Sequence, residues 1–373
     1  MRLPVILVPL AFALAACATG AMTPPPTAAN PPPSPAVSTA PAASAEGLLP
    51  KIPQPPERPV APPSVTDPAI PLPQRIDAFV DYTAQAYGVD PQAIRAALAQ
   101  AEYKQSIIDA ISRPAEKVRA WRDYRPIFMN DARIAGGKAF YADNRAALDR
   151  ITASTGVPAE YIVAIIGVET SYGKITGNYR VLDALYTLAF WHPKRAPFFA
   201  GELAQLFALA KEEPQLDVLA LKGSYAGAMG MGQFMPSSYR NWAKDGDGDG
   251  RRDLLDHKPD VFASIANYFV VHGWQRGGPV VARATRDAQA ADFAPDGLDP
   301  VYPLPMLAAR GYAPQPGEPT AEGATLLSLD GEAGKEYWLG YRNFYVITRY
   351  NHSPMYALAV HQLAQAIGGN GAP

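Results

Sequence analysis

The spacing of apolar residues predicts a chain of helices from about residue 75 onwards. Between Arg75 and Tyr87, the residues Ile76, Phe79, Val80 and Ala84 fall on one helical face. Pro91 to Ala101 reads as a second helix, with proline in the first turn, where no hydrogen bond is lost. Further helices are predicted at 138–154, 158–171, 200–212, 236–243, 258–272 and 354–367. Residues 278–335 break this pattern. Gly, Pro, Ala and Asp separate short apolar runs such as Val280-Val281 and Leu326-Leu327, expected as the strands of a small insertion. Tyr337 to Tyr350 alternates aromatic and polar residues and is expected as a strand or an extended loop. No repeat of solenoid period is present. The class expected is mainly α (α+β).

The first seventy residues read differently. Met1-Arg2 gives a positive start, and the apolar run Leu3–Ala16 is too short for a stop-transfer helix, so it reads as a signal peptide. It ends in Leu14-Ala15-Ala16-Cys17, which resembles a bacterial lipobox, and Cys17 is the chain's one cysteine. The competing reading is an ordinary signal peptide with a chance cysteine. Acylation at Cys17 would anchor the chain to a membrane without a spanning helix. Ala18 in the next position, by resemblance to sorted lipoproteins, implies an outer-membrane lipoprotein facing the periplasm. Residues 17–73 hold nearly half of the 39 prolines. They are expected as a disordered tether with a reach on the order of 150 Å when extended. A formal net charge of −2 gives none of the basic excess that nucleic-acid binding uses. One cysteine and five histidines exclude an internal disulfide and argue against a zinc site of His and Cys.

The most informative helix is 158–171. Ile162, Ile165 and Ile166 lie on its apolar stripe, and Glu169 follows on the same stripe. A carboxylate there is costly unless paired or protonated. Burial and the negative end of the helix would both favour its neutral form, which suits a general acid. A glutamate held by an arginine or capping a loop is the equally weighted alternative. Downstream, Gly223, Gly227, Gly230 and Gly232 punctuate a segment that also carries Ser224 and Gln233. The glycines permit close approach of backbone to a ligand, and the two polar side chains suit a sugar or an amide. A tight packing turn between helices would look the same. No Gly-Lys-Ser/Thr follows, so this is not a P-loop, and no strand-turn-helix frame supports a dinucleotide site.

Asp245 to Asp256 matches an EF-hand loop. Asp245, Asp247, Asp249, Asp253 and Asp256 occupy positions 1, 3, 5, 9 and 12, Gly250 position 6, and the Arg251 carbonyl position 7. Predicted helices flank it. Aspartate instead of glutamate at position 12 shortens that arm. A structural calcium ion is expected; the alternative is a solvated acidic turn.

Ile166-Gly-Val-Glu-Thr-Ser-Tyr-Gly173, Ala226-Gly-Ala-Met-Gly-Met-Gly-Gln-Phe-Met-Pro-Ser-Ser238 and Arg349-Tyr-Asn-His-Ser353 together resemble the membrane-bound lytic murein transglycosylase B family. The likeness covers about residues 75–367. It implies a helical domain at 74–155 and a lysozyme-like core at 156–277 that is completed by 336–373. The small β insertion at 278–335 and the calcium loop complete the expected architecture. It implies cleavage of the MurNAc–GlcNAc bond of peptidoglycan with a 1,6-anhydro product and no cofactor for the chemistry. The glutamate matching Glu169 would act as acid and then base. Ser224 and Gln233 would line the cleft, with Tyr350 and Asn351 near Glu169. Tyr124, Tyr268 and Tyr356 are candidates for sugar stacking or positioning, each with a core or rim aromatic as alternative. Met231 departs from a family position that is often a bulkier aromatic. A monomer is expected, and the tether leaves room for contacts with cell-wall synthesis proteins. The competing functions are a hydrolysing muramidase, a non-catalytic wall-binding lipoprotein and a calcium-regulated interaction module.

Overall fold

The computed structural model describes residues 47–55, 60–112 and 119–369. Cys17, the expected signal peptide and the first part of the expected tether lie outside the described residues. The chain runs through α1 (Pro63–Thr66), α2 (Leu72–Tyr87), α3 (Pro91–Leu98), α4 (Gln105–Ser112), α5 (Trp121–Phe128), α6 (Asp131–Asp143), α7 (Arg145–Thr155) and α8 (Ala159–Thr170). Then come β1 (Tyr179–Arg180), α9 (Val181–Trp191), α10 (Ala196–Glu212), β2 (Lys222–Gly223), α11 (Pro236–Trp242) and α12 (Lys258–Val271). The β insertion holds β3 (Val281–Arg286), β4 (Tyr302–Pro303), α13 (Leu304–Ala309), β5 (Tyr312–Pro314), β6 (Gly323–Gly331) and β7 (Gly334–Gly340). Helices α14 (Arg342–Tyr350) and α15 (Pro354–Gly368) close the chain. Among the described residues no single helix is long and apolar enough to cross a membrane.

The predicted helices are present, with informative differences. The stretch 138–154 is two helices, because Asn144 turns its amide back onto the Phe140 carbonyl at 2.7 Å and interrupts the ladder. Helix α9 went unpredicted. Its run Val181-Leu-Asp-Ala-Leu-Tyr-Thr-Leu-Ala-Phe is buried on every side, so no polar face marks its period. The segment 337–350 is strand only to Gly340, and Arg342–Tyr350 is helical. Most of that helix is buried, and dense aromatic burial hides the difference between the two periods.

The expected tether ends sooner than residue 73. Leu49 N donates to the Val301 carbonyl at 2.7 Å, Ala61 N donates to the Pro197 carbonyl at 2.9 Å, and Val65 is fully buried. Residues 47–55 therefore reach the β insertion, and residues from 60 onward pack on the helical body. Proline-rich composition masked the few apolar anchors, Leu48, Leu49, Ile52 and Val65.

The helices before and after residue 155 share one hydrophobic core, with α8 at its centre. The insertion is a five-stranded antiparallel sheet in the order β4-β6-β7-β3-β5. Side chains alternate across it. Ala282, Ala284, Leu326 and Leu339 face a second, smaller core. Val281, Leu327 and Trp338 face the helical body.

Candidate active site

Helix α8 is apolar all round, and every residue from Tyr161 to Thr170 is buried. Glu169 stands one residue from its end and is 9% exposed. On α15 the fully buried Tyr356 donates its phenol to Glu169 Oε1 at 2.6 Å. A hydrogen bond to a carboxylate in such surroundings contributes roughly 1.5–3 kcal/mol. Burial, and then the Glu169 charge, push the Tyr356 phenol well above its usual range, so it stays a donor. Tyr350 on α14 behaves likewise, with burial the main cause and Glu169 adding to it. Its phenol donates to the Gly232 carbonyl at 2.5 Å. Asn351, buried, follows directly as the C-cap of α14.

The end of α8 is built with unusual backbone. Ser171 (φ 52°) and Tyr172 (φ 64°) are both left-handed, at about 1–2 kcal/mol each. Among the described residues, only Gln233 (φ 51°) is another non-glycine residue with positive φ. These positions meet across one seam. Thr170 Oγ1 donates to the Met231 carbonyl at 3.0 Å, and Gln233 Nε2 donates to the carbonyls of Thr176 (3.1 Å) and Gly230 (3.0 Å). Strain of this kind persists where surrounding contacts over-determine it, commonly at functional sites.

The glycine-rich segment is largely a packing device. A Cβ on Gly223 would stand 2.2 Å from the Ala228 carbonyl oxygen, and one on Gly230 2.0 Å from that of Leu254. Backbone meets backbone at both, so the packing-turn reading accounts for these glycines. Ser224 Oγ accepts from Ala228 N at 3.0 Å and Ala226 N at 3.3 Å, which pins the loop after β2. That strand pairs antiparallel with β1.

The three other tyrosines do not offer open faces for sugar stacking. Tyr124 is fully buried, with its ring centroid 6.2 Å from Trp121 and 5.3 Å from Phe128. Tyr268 stacks on His272 at 3.9 Å, and its phenol donates to the Arg349 carbonyl at 2.6 Å. Tyr356 is taken by Glu169. All three fit positioning, because their rings are enclosed by other side chains. Sequence reasoning missed Glu202, a second buried carboxylate in an apolar helix, α10. It receives Ser237 N at 2.9 Å and Ser237 Oγ at 2.6 Å and so caps α11. The signal that singled out Glu169 was present for Glu202 too.

The acidic loop lies between α11 and α12. Asp245, Asp247 and Asp249 each bring a carboxylate oxygen within 4.8 Å of the others. Backbone N–H groups of Gly250 and Gly248 hold the Asp245 carboxyl below its usual range. Such an all-oxygen set suits a hard cation. A second group, Asp247, His257 and Asp260, adjoins it. Asp260, missed by the twelve-residue pattern, is buried and accepts from Gly246 N (2.8 Å) and Asp253 N (2.7 Å), tying the two ends of the loop. Asp253 Oδ1 caps the next turn through Leu255 N at 2.8 Å and Asp256 N at 3.1 Å, and Asp256 is exposed. Arg251 N donates to Asp249 Oδ1 at 2.8 Å.

Residues 72–365 match the model of the transglycosylase SLT domain family. The membrane-bound lytic murein transglycosylase B of Escherichia coli (strain K12) is 43% identical over 298 residues, 78% of this chain and 81% of that protein. The crystal structure of the soluble lytic transglycosylase SltB1 from Pseudomonas aeruginosa superposes with a TM-score of 0.74 at 47% identity, covering 79% of this chain and 98% of that one. Escherichia coli lytic transglycosylase Slt35 in complex with calcium gives 0.71 at 42% identity, covering 79% and 92%. SltB3 from Pseudomonas aeruginosa in complex with NAG-anhNAM-pentapeptide gives 0.69 at 31% identity, covering 80% of each. On these matches and on the lysozyme-like core around α8, the chain belongs to the transglycosylase SLT family of peptidoglycan lytic transglycosylases.

Proposed function

We propose that the chain cleaves the MurNAc-β-1,4-GlcNAc bond of peptidoglycan without water, with Glu169 as its one acid and base. The buried hydrogen bond between Tyr356 and Glu169 at the end of α8 carries this reading. It fixes one carboxyl oxygen and with it the direction of the other. The protonated carboxyl gives its proton to the glycosidic oxygen as the bond to the muramyl C1 breaks. The muramyl C6 hydroxyl then bonds to C1, and its proton returns to Glu169. Ring closure within the sugar replaces a second carboxylate and an activated water, which ordinary glycosidases require. The anhydro sugar in the SltB3 complex supports that product class. Ser224, Gln233, Tyr350 and Asn351 serve to shape the cleft around the carboxyl.

Calcium is read as structural. Asp245, Asp247 and Asp249, with the Arg251 carbonyl, would hold it, and Asp253 and Asp256 would complete the set. The calcium complex of Slt35 supports this assignment. Bound there, the ion would fix the approach of α11 and α12 and take no part in the chemistry. Cys17 is read as the lipid attachment site, placing the enzyme on the outer membrane facing the periplasm. The membrane-bound name of the Escherichia coli relative is in keeping with this.

The test is Glu169→Gln on purified sacculi. The variant should still sediment with sacculi and lose about 10²–10⁴ of the turnover. Turnover within tenfold of the natural protein would remove Glu169 from the chemistry.

A further inference from the structure

We infer that Tyr172, with Arg133, is a positioning residue that holds Glu169 in place. The inference rests on Glu169 being the acid. Helix ends fray, and Glu169 is the penultimate residue of α8. A proton donor placed there needs something besides the helix to hold it within a fraction of an ångström.

The turn after α8 supplies this. Ser171 N donates to the Gly167 carbonyl and Tyr172 N to the Ile166 carbonyl, both at 3.2 Å. Those nested bonds close the helix end on the pattern of a Schellman cap but one residue wider, at a place where a left-handed glycine is the usual choice. Here Ser171 and Tyr172 adopt the left-handed conformation instead. The Tyr172 ring folds back into a slot cleared by three glycines on two helices. A Cβ at Gly167 would lie 2.7 Å from the ring, one at Gly137 2.6 Å from the phenol oxygen, and one at Gly136 3.0 Å from the ring. The phenol donates to the Arg133 carbonyl at 2.7 Å, and Arg133 Nη1 donates back to the Gly167 carbonyl. Gly167 thus accepts both the cap bond and the guanidinium, two residues before Glu169. The loop closes α6 and α8 into one unit around the turn that carries the carboxylate. Thr170 Oγ1 bolts the same turn to Met231. No sugar contact is needed to explain Tyr172.

The test uses the full chain and a defined GlcNAc–MurNAc tetrasaccharide peptide as substrate. Tyr172→Leu, which empties the slot, should lower kcat about tenfold or more with KM nearly unchanged. The limb of the pH–kcat profile set by Glu169 should move to higher pH, because a carboxylate displaced with its turn loses the bond from the Tyr356 phenol that favours its ionised form. Tyr172→Phe keeps the ring and should restore most of the rate. If Tyr172→Leu does not fold, Arg133→Met provides the same test, with a smaller loss of kcat. A KM rise at constant kcat would make Tyr172 a substrate contact and overturn the inference. So would an unmoved profile with activity falling only in step with the folded fraction. Glu169→Gln run alongside separates the two readings: if it stays active, the assignment of Glu169 fails first.

Discussion

The end of α8 fixes one carboxylate and the acidic loop at 245–256 gathers several, by opposite means. Glu169 is buried and held by residues far away in sequence: Tyr356, nearly two hundred positions on, and the turn braced against α6. Asp247 and Asp249 are exposed, and the loop's carboxylates bond mainly to N–H groups a few residues away. A site made by tertiary packing is costly to build and exact in direction, which suits a proton donor. A site made by local sequence is easily formed and tolerant, which suits a structural ion. The two should therefore fail under different stresses.

Removing the distant partner is the sharpest way to break the first. Tyr356→Phe leaves the packing intact and deletes the bond to Glu169. Roughly 10–100-fold of kcat should be lost, from the roughly 1.5–3 kcal/mol of such a bond, as measured on purified peptidoglycan. An unchanged kcat would mean that the phenol only fills space.

Acid should stress the buried region next. His361, also on α15, has its imidazole pushed down to about 4 by burial, and its Nδ1 lies 2.7 Å from the Tyr161 phenol oxygen. The unfolded chain takes up that proton near pH 6.5. Between these values the unfolded state binds a proton that the folded state refuses. Stability is therefore intact above pH 6.5 and falls towards pH 4 by about 3 kcal/mol. Urea melts across this range should show a shallower fall for His361→Gln. Equal slopes would exclude His361 as the cause.

Chelation should stress only the loop. At calcium one hundredfold above its Kd, removal should cost about 2.7 kcal/mol, or roughly 5 °C in Tm. Asp249→Ala should abolish the calcium dependence of Tm while leaving kcat unchanged at temperatures well below it. A matching loss of kcat would mean that the two regions are coupled through α11 and α12.

What the sequence made legible follows the same division. The acidic loop was plain, because five aspartates at EF-hand spacing need no knowledge of the fold. Asp260 was not, since it contributes through burial after the pattern has ended. Glu169 stood out as an acid in an isoleucine stripe, but the same reasoning passed over Glu202. Which buried acid is engaged in a helix cap is visible only when α10 meets α11. Tyr172 lies inside the quoted motif, yet its role depends on a positive φ and on glycines some thirty residues upstream. The glycines of 223–232 suggested a ligand, and at Gly223 and Gly230 they admit another strand of backbone. Aromatic content drew attention to Tyr124 and Tyr268; Trp121, Phe128 and His272 stand beside them at helical i−3 and i+4 spacing, but the cover that Trp242 gives Tyr268 comes from another helix and no spacing rule foretells it.

The central claim is that one buried carboxyl suffices because the substrate attacks itself. Weighing the muropeptides released from purified sacculi by the natural protein and by Glu169→Gln tests it most directly. The account predicts products lighter by one water than hydrolytic ones, formed only by the natural protein. Full-mass products with reducing ends would contradict it and require an activated water that this site was not assigned.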